Sequence, residues 1–232
     1  MYDIITKEDY FSWLDQGFGD KKNPSLKNIQ DAFILSILSK VRNKRIAEVG
    51  GGQSRVLEQL ARNNECWNID KLEGRGLGPR KYKTSAKVKL VRTYLGDFCS
   101  ELPDDYFDYV FSISVLEHLS NEQLSPCFLD MSRILKPGGL CLHAIDVYLG
   151  DGHTPLHNSR IDLYLQASLE EETGLKFIEH PVINCDTIFR CHYASNSDIT
   201  LYVWNKIAPG PMVSTRNNNQ SVSIKAIWEK KA

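Results

Sequence analysis

The segment Arg45-Ile46-Ala47-Glu48-Val49, followed by Gly50-Gly51-Gly52, constrains this chain more than any other. A short strand runs into three glycines, and Gln53 to Asn63 then reads as a helix through Val56, Leu57 and Leu60. Strand, glycines and helix together are the layout of a nucleotide-binding crossover. Glycines let the backbone turn sharply and approach a ligand with no Cβ in the way. The helix start offers free N–H groups to that ligand. Asp70 comes 20 residues after Gly50, at the end of a second strand, Cys66 to Ile69. A carboxylate there can accept both ribose hydroxyl protons.

The rest of the chain continues this alternation. Leu90 to Leu95 and the nearly all-apolar Phe107 to Ile113 read as strands three and four. A helix is expected from Pro126 to Leu135, with Ser125 as its cap, ended by Lys136-Pro137-Gly138-Gly139. Leu140 to Val147 is the fifth strand, and Ser159 to Thr173 a further helix closed by Gly174. Phe177 to Ile183, Ile199 to Trp204 and Val222 to Trp228 are later strand candidates, with 205–221 a surface loop. Residues 1–44 read as helical, most clearly from Ser25 to Val41, where Leu26, Ile29, Phe33, Ile37 and Val41 keep helical spacing. The expectation is one α/β domain over residues 1–232, doubly wound around a mainly parallel sheet with helices on both faces. It divides into a helical N-terminal cap (1–44), a cofactor-binding half (45–146) and an acceptor-binding half (147–232).

Composition excludes several classes. A net charge of −1 argues against a polyanion binder, so no nucleic-acid partner is expected. No apolar run nears the roughly 20 residues that span a bilayer, so no membrane partner is expected either. The start Met1-Tyr2-Asp3-Ile4 lacks a basic-then-apolar leader, and the expected location is cytoplasmic. The six cysteines form no Cys-x-x-Cys pair and read as small buried hydrophobes.

Two details narrow the ligand. Gln53-Ser54-Arg55 follows the glycines where a dinucleotide pattern would carry a third spaced glycine. Glu48 lies two residues before Gly50, where a carboxylate would repel a pyrophosphate and suit a cofactor with a cationic ammonium and sulfonium. On these residues Ala47 to Gly52 resembles the first motif of class I S-adenosylmethionine-dependent methyltransferases, with Gly51 and Ser54 departing from its commonest form. Asp70 is similar to that family's acidic ribose ligand, and Gly96-Asp97-Phe98 to the segment whose acid bonds the adenine amine. The run Phe107 to Leu119, with Ser112, Ser114 and His118, resembles the fourth-strand motif that lines the methionine end. The resemblance covers residues 45 to about 146. It implies a seven-stranded sheet with the last strand antiparallel, S-adenosylmethionine as methyl donor and S-adenosylhomocysteine as product.

The acceptor side is read from the end of strand five. A hydroxyl acceptor needs a base. His143, Asp146, Asp151, His153 and His157 form the densest group of candidate bases. Ile145-Asp146 with Asp151 and His153 shortly after resembles a glycan or secondary-metabolite subset of the family. His153 is the expected base, with Asp146 orienting it or the substrate. The same cluster could be read as a metal site. Magnesium is not favoured, because it prefers carboxylates and waters to several imidazoles. The plainer alternative puts His143 into the sheet and leaves the loop histidines solvated. Residues 71–92 carry eight Lys or Arg and one Glu, either a solvated loop or a rim for an anionic acceptor such as a sugar phosphate. Tyr10, Phe11, Trp13 and Phe18 could lid the cofactor or simply pack, and the stretch from Phe189 to Trp204 could form an acceptor wall. The expected function is methyl transfer to an oxygen of a small-molecule or glycan acceptor. A non-catalytic methyltransferase-like module and a nicotinamide oxidoreductase are the alternatives.

Overall fold

The computed structural model describes residues 1–23, 25–74, 79–81, 87–150, 159–188 and 219–231. Their strands form one eight-stranded sheet. Five run parallel in the order β4 (Val88–Val91), β3 (Glu65–Ile69), β2 (Arg45–Val49), β5 (Phe107–Ile113) and β6 (Leu135–Gly150). β8 (Asn219–Lys230) runs antiparallel to β6 from Leu140↔Glu229 to Gly150↔Asn219. Its other edge takes β1 (Tyr2–Ile4) and β7 (Leu175–Phe177), both antiparallel to it. β8 thus opposes every other strand, as expected for the last strand. The eighth strand, β1, is a correction to the all-helical reading of 1–44. Three residues are too few to show a period, and the free edge of β8 captures them.

Strand alternation sends side chains to two cores. Ile46, Cys66, Phe111, Leu142 and Ile227 face α1 (Lys7–Asp15), α2 (Leu26–Leu38) and α3 (Leu57–Leu60). Ala47, Trp67, Val110, Cys141 and Trp228 face α4 (Asn121–Ile134), α5 (Ser159–Ala167) and α6 (Glu170–Thr173). α1 begins at a reciprocal cap: Asp9 N–H donates to Thr6 Oγ1 at 3.1 Å, and Thr6 N–H to Asp9 Oδ2 at 2.9 Å. α2 begins at Ser25, as expected.

Several boundaries differ from the sequence reading. α3 is a single turn, because Asn64 Nδ2 donates to the Leu60 carbonyl and ends it. α4 starts five residues early, at Ser120, whose N–H donates to Gln123 Oε1 at 2.9 Å. Pro126 therefore lies inside α4 rather than at its first position. The helix over 159–173 breaks at Ser168, whose hydroxyl bonds back to the Leu165 carbonyl. Gly174 then ends α6 at φ +69, as expected. β4 stops at Val91 because its partner β3 stops at Ile69. β8 takes in Asn219 to Ser221, which the sequence assigns to a loop. The Ile199–Trp204 strand and the Phe189–Trp204 wall lie outside the described residues. No helix among the described residues is long and apolar enough to cross a membrane. Cys66, Cys99, Cys127, Cys141 and Cys185 are free thiols.

Candidate functional site

A cavity of about 720 Å³ opens at the carboxyl ends of β2 to β5, the edge where ligands bind in open α/β sheets. Glu48, Gly50, Gly51, Gly52, Asp70, Asp97, Ser114 and His118 all line it. Gly50 and Gly52 have φ of +63 and +51, a left-handed backbone that glycine adopts without strain. Space excludes side chains as well. A Cβ on Gly50 would come within 2.7 Å of Val115, and one on Gly51 within 2.8 Å of both Asn68 Oδ1 and Glu48 Cδ. The second glycine, a departure from the commonest motif, is thus required by the two polar side chains beside it.

Asp70 closes the loop from the next strand. Gly52 N–H donates to Asp70 Oδ2 at 2.8 Å, and Leu72 N–H to Oδ1 at 2.7 Å. Both oxygens are aimed by backbone donors and keep lone pairs for a ligand. Glu48 is buried, and its Oε2 has no hydrogen-bond partner. Burial pushes its carboxyl up to about 8, with Asp31 and Asp70 acting in the same sense and Ser54 and Arg55 opposing. Asn68, its register neighbour on β3, leaves Oδ1 equally unpartnered while its amide donates to the Gly52 carbonyl at 3.0 Å. Two orphaned buried acceptors beside a glycine cradle fit a ligand that brings donors and positive charge.

The N-terminal cap reaches this cavity through α2. Lys27 and Asp31 line it, and Asp31 receives Arg55 in a two-point ion pair at 2.6 and 2.8 Å. The aromatic lid does not form: Tyr10 is buried, Trp13 packs on Phe33, and Phe11 is exposed. The Gly96–Phe98 turn hangs on buried Asp130, whose Oδ2 accepts from Gly96 N–H at 2.7 Å and from Phe98 N–H at 3.1 Å. Asp97 faces the cavity, whereas Phe98 is half exposed and away from it.

Strand parity, and at Ser114 a left-handed backbone (φ +51) just past the end of β5, separate the remaining predicted residues. Ser112 points to the α4 face, fully buried, 2.7 Å from His143 Nδ1. It cannot line the methionine end. His143 is held among Met131, Phe128 and Trp228, and burial pushes its pKa down to about 3, so it is a neutral core residue. Ser114 and Asp146 turn to the α2 face. Ser114 Oγ is 2.9 Å from Asp146 Oδ1 and 2.8 Å from Gln30 Oε1, and the Gln30 amide also donates to Asp146. Asp146 therefore sits behind the cavity wall, tied to it through Ser114. His153, Asp151 and His157 lie outside the described residues. No cluster of three or more His, Cys, Asp or Glu able to hold a metal is found among the described residues.

Sequence reasoning missed Gln30, Asp31, Asn68, Glu117 and Tyr164. Glu117 falls inside the Phe107–Leu119 run without being distinguished there, and the other four belong to no local motif. Only the Ser-x-x-Gln pattern at Ser120 signalled that the 3₁₀ turn Leu116–His118, which carries Glu117, stands free ahead of α4.

The comparisons agree with this geometry. The family described as "Methyltransferase domain" matches residues 47–143. The crystal structure of the (4+2)-cyclase SpnF superposes with a TM-score of 0.59 at 14% identity, covering 92% of this chain and 87% of that one. Geranyl diphosphate C-methyltransferase from Streptomyces coelicolor, solved with Mg2+, geranyl diphosphate and S-adenosyl-L-homocysteine, superposes at 0.56 and 10% identity, covering 99% and 88%. A geranyl diphosphate methyltransferase with its substrate and sinefungin does so at 0.58 and 11%, covering 99% and 88%. No curated protein matches the chain by sequence search. The fold is therefore the Rossmann-like methyltransferase fold. Within it, residues 47–143 are the part that matches the methyltransferase family model.

Proposed function

We propose that this protein binds S-adenosylmethionine in the 720 Å³ cavity and transfers its methyl group to a small-molecule acceptor. The observation that carries this reading is the pairing of Asp70, aimed by two backbone N–H groups, with the glycine cradle beside buried Glu48. Asp70 would hold the ribose hydroxyls, and Glu48 and Asn68 would face the amino-acid end. When bound, the cofactor supplies an electrophilic methyl on a sulfonium. The chain's own residues supply orientation and proximity. The structural neighbours solved with S-adenosylhomocysteine or sinefungin support this cofactor, and those with geranyl diphosphate support a small acceptor. Glu48 weighs against a nicotinamide dinucleotide, whose pyrophosphate would meet a buried carboxyl. Asp146, tied to the cavity through Ser114, is retained as an orienting group for the acceptor and for His153. An oxygen acceptor and a glycan identity rest on the motif resemblance alone.

The test is calorimetric titration with S-adenosylhomocysteine. Wild type should bind in the micromolar range, and Asp70→Ala at least tenfold more weakly, the loss of about 1.4 kcal/mol or more expected for charge-assisted hydrogen bonds. Equal affinity in Asp70→Ala would remove the ribose role. A second reading, cyclisation or binding without methyl transfer, is favoured by the likeness to SpnF. Transfer of label from methyl-labelled cofactor to an acceptor decides between them.

A further inference from the structure

The amino-acid end of S-adenosylmethionine carries two opposite charges, an ammonium and a carboxylate. Glu48 and Asn68 offer acceptors to the first. The carboxylate needs a cation with donors of its own. Four described cationic side chains line the cavity: Lys27, Arg55, Lys71 and His118. Three of them are engaged. Arg55 holds Asp31 at two points, 2.6 and 2.8 Å, so the pair adds little net charge. Lys71 Nζ is 3.6 Å from Glu73 Oε1 and 4.7 Å from the centre of the Tyr94 ring. His118 Nε2 is 3.8 Å from Glu117 Oε1. Lys27 makes no hydrogen bond or ion pair among the described residues. It and Glu117 feel each other's charge without pairing.

The place of Lys27 is fixed by its helix. It lies in the first turn of α2, outside the residues 47–143 that match the family model. Lys27, Gln30 and Asp31 fall at i, i+3 and i+4 and share one face. Two contacts show where that face lies. Asp31 is bound by Arg55, three residues beyond Gly52. Gln30 is fully buried, and its Oε1 accepts from Ser114 Oγ at 2.8 Å. Val115, the next residue, is the side chain that a Cβ on Gly50 would meet at 2.7 Å. The face therefore stands beside the glycine loop and the end of β5. α2 packs on β5, β6 and β8, whereas Asp70 and Asp97 follow β3 and β4 on the other side of β2. Lys27 is thus at the amino-acid end of the cavity and away from the ribose and adenine positions. It is one turn from Asp31, about 6 Å along the helix axis, a distance that an extended lysine side chain spans.

We propose that Lys27 binds the carboxylate of the cofactor's amino-acid end, so that the N-terminal cap completes the cofactor site. This rests on the S-adenosylmethionine reading of the cavity and adds a residue that the glycine-loop motif does not contain. Lys27 Nζ donates to the carboxylate, and Glu48 accepts from the ammonium. The two side chains meet a zwitterion with the opposite pair of charges. A ligand that keeps the adenosine and lacks the carboxylate leaves Lys27 without a partner.

The test is calorimetric titration of the full chain with three ligands. S-adenosylhomocysteine carries both charges, decarboxylated S-adenosylhomocysteine only the ammonium, and 5′-methylthioadenosine neither. Wild type should prefer S-adenosylhomocysteine to the decarboxylated ligand at least fivefold. Lys27→Met, which keeps most of the stem and removes the charge, should abolish that preference. It should weaken S-adenosylhomocysteine at least fivefold and leave the other two ligands within about twofold. Lys27→Arg should restore the preference. Added potassium chloride should weaken S-adenosylhomocysteine more in wild type than in Lys27→Met, because a partly exposed ion pair is screened. Unchanged S-adenosylhomocysteine affinity in Lys27→Met overturns the proposal. So does an equal loss for all three ligands, which would mean that Lys27 braces the cap and touches no carboxylate. Binding of none of the three ligands by wild type strikes the cofactor reading itself, and this proposal with it.

Discussion

Glu48 ionises near 4.5 in an unfolded chain and near 8 where the fold holds it. Between those values the folded protein binds more protons than the unfolded one. The stability linked to this group is fully present below about pH 4.5 and is lost as pH rises through about 8. Glu117 is shifted in the same direction and adds to the effect. The melting temperature of the ligand-free protein should therefore fall between about pH 5 and about pH 8, and Glu48→Gln should flatten part of that slope. Affinity for S-adenosylhomocysteine should move oppositely, rising over the same interval as Glu48 gains the charge that receives the ligand's ammonium. A level affinity across this range, or an identical profile in Glu48→Gln, would remove the role assigned to Glu48. The residue's position before the glycines was legible in the sequence, because one short strand and one turn place it. Its partner Asn68 was not, because only β2–β3 pairing brings them side by side.

At the scale of elements, the ion pair between Arg55 and Asp31 joins the turn after the glycine loop to α2. The Arg55 side chain is 57% exposed, so solvent screening limits the pair to roughly 1 kcal/mol despite its two-point geometry. A double-mutant cycle with Asp31→Asn and Arg55→Ala, read by urea unfolding, should return a coupling of about that size. The same variants should weaken S-adenosylhomocysteine several-fold, since the loop they hold lines the cavity. A zero coupling energy would show that α2 is docked by its apolar face alone. α2 itself was legible through its apolar spacing and its Ser25 cap. α3 and α4 were not bounded correctly. The Asn64 side chain cuts the first short. In the second, Pro126 drew attention from the true start at Ser120, where the Gln123 side chain caps the N–H.

For the whole molecule, the N-terminal strand closes the free edge of β8. Tyr2 is fully buried, its ring 5.5 Å from Phe177 and 6.2 Å from Trp228, and its hydroxyl donates to the Ile161 carbonyl at 2.8 Å. One side chain thus joins the sheet edge, the strand β7 and helix α5. Tyr2→Ala should cost about 3 to 5 kcal/mol in urea unfolding, the range for truncating a buried aromatic. The protein that remains folded should keep its affinity for S-adenosylhomocysteine, because Tyr2 lies on the opposite end of the sheet order from β3 and β4. A loss below about 1 kcal/mol would mean that β1 is an ornament of the edge rather than part of the core.

The sequence by itself determined what depends on neighbours along the chain. This covers the strand–glycine–helix turn, the acid at the end of the next strand and the parallel α/β order, all encoded in periodicity and turn residues, whereas the antiparallel last strand came from the family resemblance. Tertiary structure decided which face each side chain takes and who meets it there. Ser112 and Ser114 lie two residues apart at the end of one strand. Yet the first is sealed against His143, and the second, at φ +51 beyond the last paired residue, turns to Asp146 and the cavity. Glu48 and Asn68 show the same division. Their chemistry is visible in the sequence, but that their unpartnered oxygens lie together beside Gly51 becomes visible only when β2 and β3 are paired, because a neighbour is a property of space and not of spacing.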